Sequence, residues 1–218
     1  MGLEIRDLAA EDLPAAGGVA GRALADSPTL RWALGPDPLA RVGGSLDVFV
    51  GFVAAMPPPQ LGAFLGNHVV GVAAAAAPGT CIGAIATDEM RTPPQVIGPN
   101  GDESRNLLVW SLFCGHDLEE RHWHVGPVSV EPGLQGAGIG GQLLTALCDR
   151  MDADGEVAWL ETDKPENVVF YRRHGFEVVQ EVLAPDPAVY QASGDQASGD
   201  QASGDGPFTT WFMRRDPR

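Results

Sequence analysis

Three groups of residues have the types and spacings to do chemistry. The first is Gln135-Gly-Ala-Gly-Ile-Gly-Gly141. It follows a strand-like run, Val128-Ser-Val130, and opens a helical pattern. Such a junction aims free backbone N–H groups and the positive end of a helix dipole at one point, a site for phosphate. Its glycines permit close approach and left-handed dihedrals. The second group is His122-Trp-His124. Two histidines two apart on a strand share one face, and a neutral imidazole suits amine deprotonation near neutral pH. The third is Asn167 and Tyr171, four apart and so on one face of a short helix. A phenol, ordinarily near pKa ~10, holds its proton at neutral pH and can donate it. Glu161 ends an intervening apolar run and can orient an amine or act through water. Each group has a plainer use as well: a tight turn for the glycines, strand-edge positions for the histidines, packing for Tyr171, and a hydrogen bond to the following loop for Glu161.

The elements that must position these groups are legible as patterns. Leu3–Arg6 alternates like a strand, and Leu13–Leu24 is helical. Pro36-Asp-Pro38 opens a helix over Leu39–Ala55, which Pro57-Pro-Pro59 ends. Leu61–Leu65 and His68–Ala77 flank Gly66-Asn67 as a hairpin. Residues 78–103 are rich in Pro and Gly without a period and are expected as loop, followed by a helix over Ser104–Glu120. His122–Val130 is a strand in which Gly126-Pro127 implies a bulge or a splayed edge. Ile139, Leu143, Leu147 and Met151 mark one face of a helix that ends near Gly155. Val157–Leu160 is a short buried strand, Asn167–His174 a short helix, and Phe176–Leu183 with Phe208–Met213 a final pair of strands. Between that pair, Gln-Ala-Ser-Gly-Asp occurs three times over residues 191–205. Small polar residues in this repeat cannot bury a core, so a flexible loop without function is expected there.

The net charge of −15, from 29 acidic and 14 basic residues, argues against nucleic acid and anionic membrane as partners and suits a cationic substrate such as an amine. Cys81, Cys114 and Cys148 are too few and too scattered for a disulfide framework or a zinc cluster, so no metal is expected. The acidic N-terminus is no signal peptide, and the longest apolar run, Val69–Ala77, is too short to span a bilayer. A soluble, cytoplasmic protein of one domain (residues 1–218) is expected, with residues 78–121 as an inserted loop and helix.

Gly136-Ala-Gly-Ile-Gly-Gly141 also satisfies the dinucleotide pattern G-x-G-x-x-G, with Glu161 at the distance of a ribose-binding acid. Against a nicotinamide oxidoreductase stand the late position of the pattern, Glu131–Gln135 between strand and first glycine, and Gly126-Pro127 in what would be a central parallel strand. The alternative Gln/Arg-x-x-Gly-x-Gly/Ala is met by Gln135, Gly138 and Gly140. With Val130-Glu-Pro132 before it, and Asn167, Phe170-Tyr171 and Gly175-Phe176 after it, this resembles the GNAT N-acetyltransferase superfamily. His122-Trp-His124, Trp159–Thr162, Phe170–Phe176 and Trp211–Arg214 are similar to its puromycin N-acetyltransferase-like subgroup, over residues 122–183 and 207–215. His124 stands where the subgroup often has an aromatic, and Ala137 where a basic residue is common.

The resemblance implies an α/β fold with a mixed, mostly antiparallel sheet of about seven strands, splayed at its centre, and acetyl-CoA as co-substrate. It implies that the amides of Gln135, Gly136, Ala137, Gly138, Ile139, Gly140 and Gly141 face the pyrophosphate, and that Val128, Ser129 and Val130 pair with the pantetheine arm. It also implies that Asn167 contacts the arm and that Tyr171 is the general acid. Some members carry a base on this strand 13 residues before the motif's Gln/Arg, which is His122 here; His124 and Glu161 are the other candidates. The expected function is direct acetyl transfer to a primary amine of a small molecule by a monomer or homodimer. The alternative is a non-catalytic acyl-CoA sensor or interaction module of the same fold.

Overall fold

The computed structural model describes residues 2–185 and 206–218, so the Gln-Ala-Ser-Gly-Asp repeat lies outside the described residues. Seven strands form one sheet in the order β1 (Leu3–Asp7), β2 (Gln60–Leu65), β3 (His68–Ala76), β4 (His122–Val130), β5 (Val157–Thr162), β7 (Phe208–Arg215), β6 (Glu177–Ala184). Every neighbouring pair is antiparallel except β4 and β5. This is the mixed, mostly antiparallel sheet expected.

One face is covered by α7 (Ile139–Asp154), whose Ile139, Leu143, Leu147 and Met151 are buried against Ala63, Ala73, Trp123, Val125 and Leu160. The four-residue repeat read from the sequence is therefore the core stripe of this helix, and Gly155 ends it in the left-handed conformation at φ 69°. Cys148 is a buried member of the same core. Asp152 holds the helix to the last strand through Arg215, which is 3% exposed, with two bonds of 2.6 Å.

The other face carries α1 (Leu13–Leu24), α2 (Pro28–Leu34), α3 (Pro38–Ala55) and α6 (Glu103–Gly115). α1 and α3 approach closely because glycine faces backbone. A Cβ at Gly17 would lie 2.6 Å from Val50 Cα, and one at Gly21 2.9 Å from Leu46 Cα. α3, with mean hydropathy 1.3, is the one helix among the described residues long and apolar enough to cross a membrane, a property that a search for unbroken apolar runs does not detect.

Four helices differ from expectation. α2 was not expected; Ser27 caps it by accepting from Leu30 N, and Gly35 closes it at φ 92°. Residues 78–103 contain two single turns, α4 (Ile82–Ile85) and α5 (Asp88–Arg91), each too short to show a period and each N-capped by a side chain, Cys81 and Thr87. α6 ends at Gly115 rather than Glu120, because His116 bonds back to the Leu112 carbonyl and Asp117 turns inward.

Candidate active site

The site begins with how β4 meets its neighbours. β4 pairs with β5 over His122–His124 alone, opposite Val157–Trp159. Beyond that the two strands diverge, so among the described residues Val125–Val130 has no strand partner on the β5 side. On the other side β3 follows β4 to its end, with a register shift where Gly126-Pro127 faces Ala74. The bulge expected from Gly126-Pro127 is present, and with it an open strand edge. Val128 lines the cleft, Val130 packs on the core, and Ser129 turns its side chain to the opposite face, where its Oγ is buried with no partner among the described residues.

From the end of β4 the chain makes one 3₁₀ turn, Pro132–Leu134, anchored by Glu131 through a bidentate pair with Arg22 of α1 (2.8 Å and 3.0 Å). The glycine bend follows. Gly136 and Gly138 adopt φ 80° and 81°, conformations that other residues enter at a cost of about 1–2 kcal/mol. Gln142 N makes the first intrahelical bond, to Gly138 O. The amides of Ile139, Gly140 and Gly141 thus open α7 without an intrahelical acceptor. Gln135 through Gly138 are exposed, and no side chain caps the helix. Gln135 itself donates from Nε2 to Val130 O at 3.2 Å, tying the bend to the open strand.

Between the splayed strands and helices α1–α3 and α6 lies a cavity of ≈ 360 Å³, which reaches Val128 of β4. Tyr171 and Asn167 reach it from α8 (Pro165–Arg172), on one face as their spacing requires. Asn167 donates to Thr162 Oγ1 at 3.2 Å. Glu161 and His124 reach the cavity from the sheet, and Phe49, Phe52, Trp110 and Phe113 form much of its opposite wall. Its titratable lining includes the carboxylates of Glu161 and Asp163 and the imidazole of His124, with no Lys or Arg among the lining residues. Burial, then the negative charges of Glu161 and Asp163, push the Tyr171 phenol well above its ordinary value. Tyr171 is therefore protonated across the physiological range, a proton donor rather than a base.

The two histidines have different surroundings. His124 Nε2 bonds Glu161 Oε2 at 2.8 Å, and its Nδ1 lies 3.2 Å from Asp117 Oδ1. His122 Nδ1–H donates to the Glu120 carbonyl at 2.8 Å, and its Nε2 lies 2.9 Å from the same Asp117 oxygen. Cys81 Sγ completes the group, 3.1 Å from Asp117 Oδ2 and 3.7 Å from His122 Nε2. Burial opposes charge on all four side chains, yet their mutual bonds outweigh it. Asp117, bonded by His122 and His124, is held well below the usual carboxylate range. His122 is raised to about 9 by Asp117, and His124 is raised well above its ordinary value by Glu161 and Asp117. Cys81, bonded by His122 and His124, is brought down to about 7.

The structure thus brings Tyr171, Asn167, Glu161 and His124 together. His122 does not join them; it lines a separate cavity of ≈ 340 Å³ with Cys81 and Asp117 on the far side of the His124 ring. Sequence reasoning did not single out Asp117 or Cys81 for chemistry. The available signal was Asp117 five residues before His122-x-His124; Cys81, 41 residues away in an aperiodic segment, offered none.

This architecture has known counterparts. Residues 106–178 match the acetyltransferase (GNAT) domain family model. The fold is that of the GNAT acetyltransferases. It superposes on a polyamine N-acetyltransferase of Drosophila melanogaster (TM-score 0.64, 15% identity, covering 99% of this chain and 100% of that one). A mosquito arylalkylamine N-acetyltransferase-like protein gives TM-score 0.64 at 14% identity, over 99% and 100% of the two chains. A histone acetyltransferase-related protein of Corynebacterium glutamicum gives 0.59 at 20%, over 100% and 98%. The GNAT domain match spans the α6 helix, the splayed strands, the glycine bend and the Asn167/Tyr171 helix.

Proposed function

We propose that this protein is an acetyl-CoA-dependent N-acetyltransferase acting on a primary amine that carries an aromatic or otherwise apolar body, by direct transfer. The observation that carries the reading is the cleft itself: uncapped amides at the start of α7 at one end, and Tyr171 and Glu161 in one aromatic-walled cavity at the other. The residues suit acetyl-CoA. The amides of Gly136–Gly141 match a pyrophosphate, and the open edge of β4 at Val128–Val130 offers backbone partners to the pantetheine amides and an N–H to the thioester carbonyl.

The amine enters from the side of the aromatic wall. The anionic lining, Glu161 and Asp163, favours the ammonium form at entry, and Glu161 takes up the proton directly or through a water. Its bond to His124 fixes the carboxylate. The amine nitrogen attacks the thioester carbon, the C–S bond breaks, the departing sulfur takes the Tyr171 proton, and the phenolate so formed takes the second proton from the nitrogen as the amide forms. Within the range of bases expected on β4, His124 acts through Glu161, and His122, on the far side of the Asp117 cluster, has a structural task.

The reading extends to the puromycin N-acetyltransferase-like subgroup, supported by the aromatic wall and the His122-Trp-His124 strand. It also extends to a cytoplasmic, single-domain enzyme acting as monomer or homodimer, for which three buried free cysteines suit a reducing compartment. Tyr171→Phe tests the mechanism: kcat should fall about 100-fold while the thermal shift given by acetyl-CoA is kept. Unchanged turnover removes Tyr171 as the acid. Stabilisation by acetyl-CoA with no thiol release from any amine would instead point to a sensor.

A further inference from the structure

The group Cys81, Asp117, His122 and His124 has no step in the proposed transfer, although Cys81 and His124 both line the acceptor cavity. Its four ligand atoms all lie within 4.8 Å of one another, and the side chains of Asp117, His122 and His124 are each less than a tenth exposed. We propose that these four residues form a tetrahedral zinc site that clamps the segment between β3 and β4 onto the sheet.

The geometry carries this. Zinc bound at about 2.0 Å to nitrogen and oxygen and about 2.3 Å to sulfur sets ligand–ligand edges of about 3.3–3.6 Å in a tetrahedron. Four of the six edges here are 2.9, 3.1, 3.2 and 3.7 Å, with Asp117 turning Oδ1 to the two histidines and Oδ2 to Cys81, and all the ligand atoms lie within 4.8 Å of one another. Both imidazoles are held from behind by an acceptor: Glu120 O on His122 Nδ1 and Glu161 Oε2 on His124 Nε2, each at 2.8 Å. That fixes each ring with its other nitrogen aimed at the shared point, the arrangement that outer carboxylates and carbonyls impose on metal-bound histidine. One thiolate, two imidazoles and one carboxylate favour zinc over the oxygen-seeking magnesium and calcium. With Cys81 and Asp117 ionised and the histidines neutral, the two charges of zinc are balanced; binding releases the thiol proton and any inward imidazole protons. The ≈ 340 Å³ cavity lined by Cys81, Asp117 and His122 provides the entry path.

The placement indicates a purpose. Cys81 lies just before α4, Asp117 just after α6, and the histidines on β4. The ion would hold both ends of a long crossing whose α6 supplies Trp110 and Phe113 to the acceptor wall. Composition had argued against a metal because three cysteines do not make a cluster; this site needs only one.

The test uses full-length, tag-free protein and reads metal without substrate, so it stands apart from the acetyltransferase reading. After zinc-supplemented expression and dialysis, elemental analysis should find about one zinc per chain. Chelator-treated protein given zinc at about 100 times its dissociation constant should gain about 5–10 °C in thermal midpoint. Cobalt should give tetrahedral visible bands and a thiolate charge-transfer band that Cys81→Ser abolishes and Cys148→Ser keeps. Should Cys81→Ser fail to fold, the wild-type cobalt spectrum and zinc content decide alone. Zinc below about a tenth per chain with no cobalt bands, or a thiolate band that survives Cys81→Ser, overturns the site.

Discussion

Tyr171 and Glu161 face one cavity from different elements. Burial, then the carboxylates of Glu161 and Asp163, raise the phenol, and in the proposed mechanism Glu161 is the proton acceptor. Glu161→Gln keeps the shape and the bond to His124 while removing the base. It should lower kcat/KM for the amine at least about 100-fold with the acetyl-CoA thermal shift intact; a variant within a few-fold of wild type would move the base elsewhere. Asn167 and Tyr171 were legible from sequence because a four-residue spacing on a helix is local geometry. The separation of His122 from His124 was not. Both point to the same face of β4 and both bond Asp117, which follows α6, but of the two only His124 bonds Glu161 in the acceptor cavity.

At the scale of elements, α7 carries two loads: its first turn faces the cleft and its last turn is fixed to β7 by Asp152 and Arg215. The guanidinium holds the Asp152 carboxyl below its ordinary value. A carboxyl lowered in the folded state stabilises above its unfolded pKa, near ~3.9, and loses that contribution as pH falls through the folded value. Asp152→Asn leaves Arg215 buried without its partner and should cost about 3 kcal/mol at pH 7, the low end for a broken buried pair because Asp152 keeps partial exposure. In thermal melts the gap from wild type should be widest at neutral pH and narrow below about pH 4; a gap that widens in acid would contradict this. The stripe that buries α7 was plain in the sequence, since it follows one helical period. α2, α4 and α5 were missed because seven or four residues make at most two turns, too few for a repeat to show, and only their caps mark them.

The strand order β1-β2-β3-β4-β5-β7-β6 was not legible in the sequence; the family resemblance implied only a mixed, mostly antiparallel sheet splayed at its centre. Periodicity finds strands but does not say which neighbours they choose. The splay was foreshadowed by Gly126-Pro127, because a proline inside a strand removes a ladder donor. The repeat at 191–205 interrupts the connection from β6 to β7, whose Ala184 and Phe208 are directly paired. Loop length alters stability weakly, so deleting residues 191–205 should shift the melting temperature by no more than about 2 °C, whereas a large loss would reveal packing of the repeat. The whole molecule is strongly acidic, and its cavity joins carboxylates to an aromatic wall, a combination suited to an amine with an apolar body. The most direct test is thiol release from acetyl-CoA, with mass detection of product, across a panel of polyamines, arylalkylamines and aminonucleosides. The account predicts stoichiometric N-acetylation and free CoA with amines that carry an aromatic body, and little with bare polyamines. Acetyl-CoA binding without thiol release from any amine would contradict it.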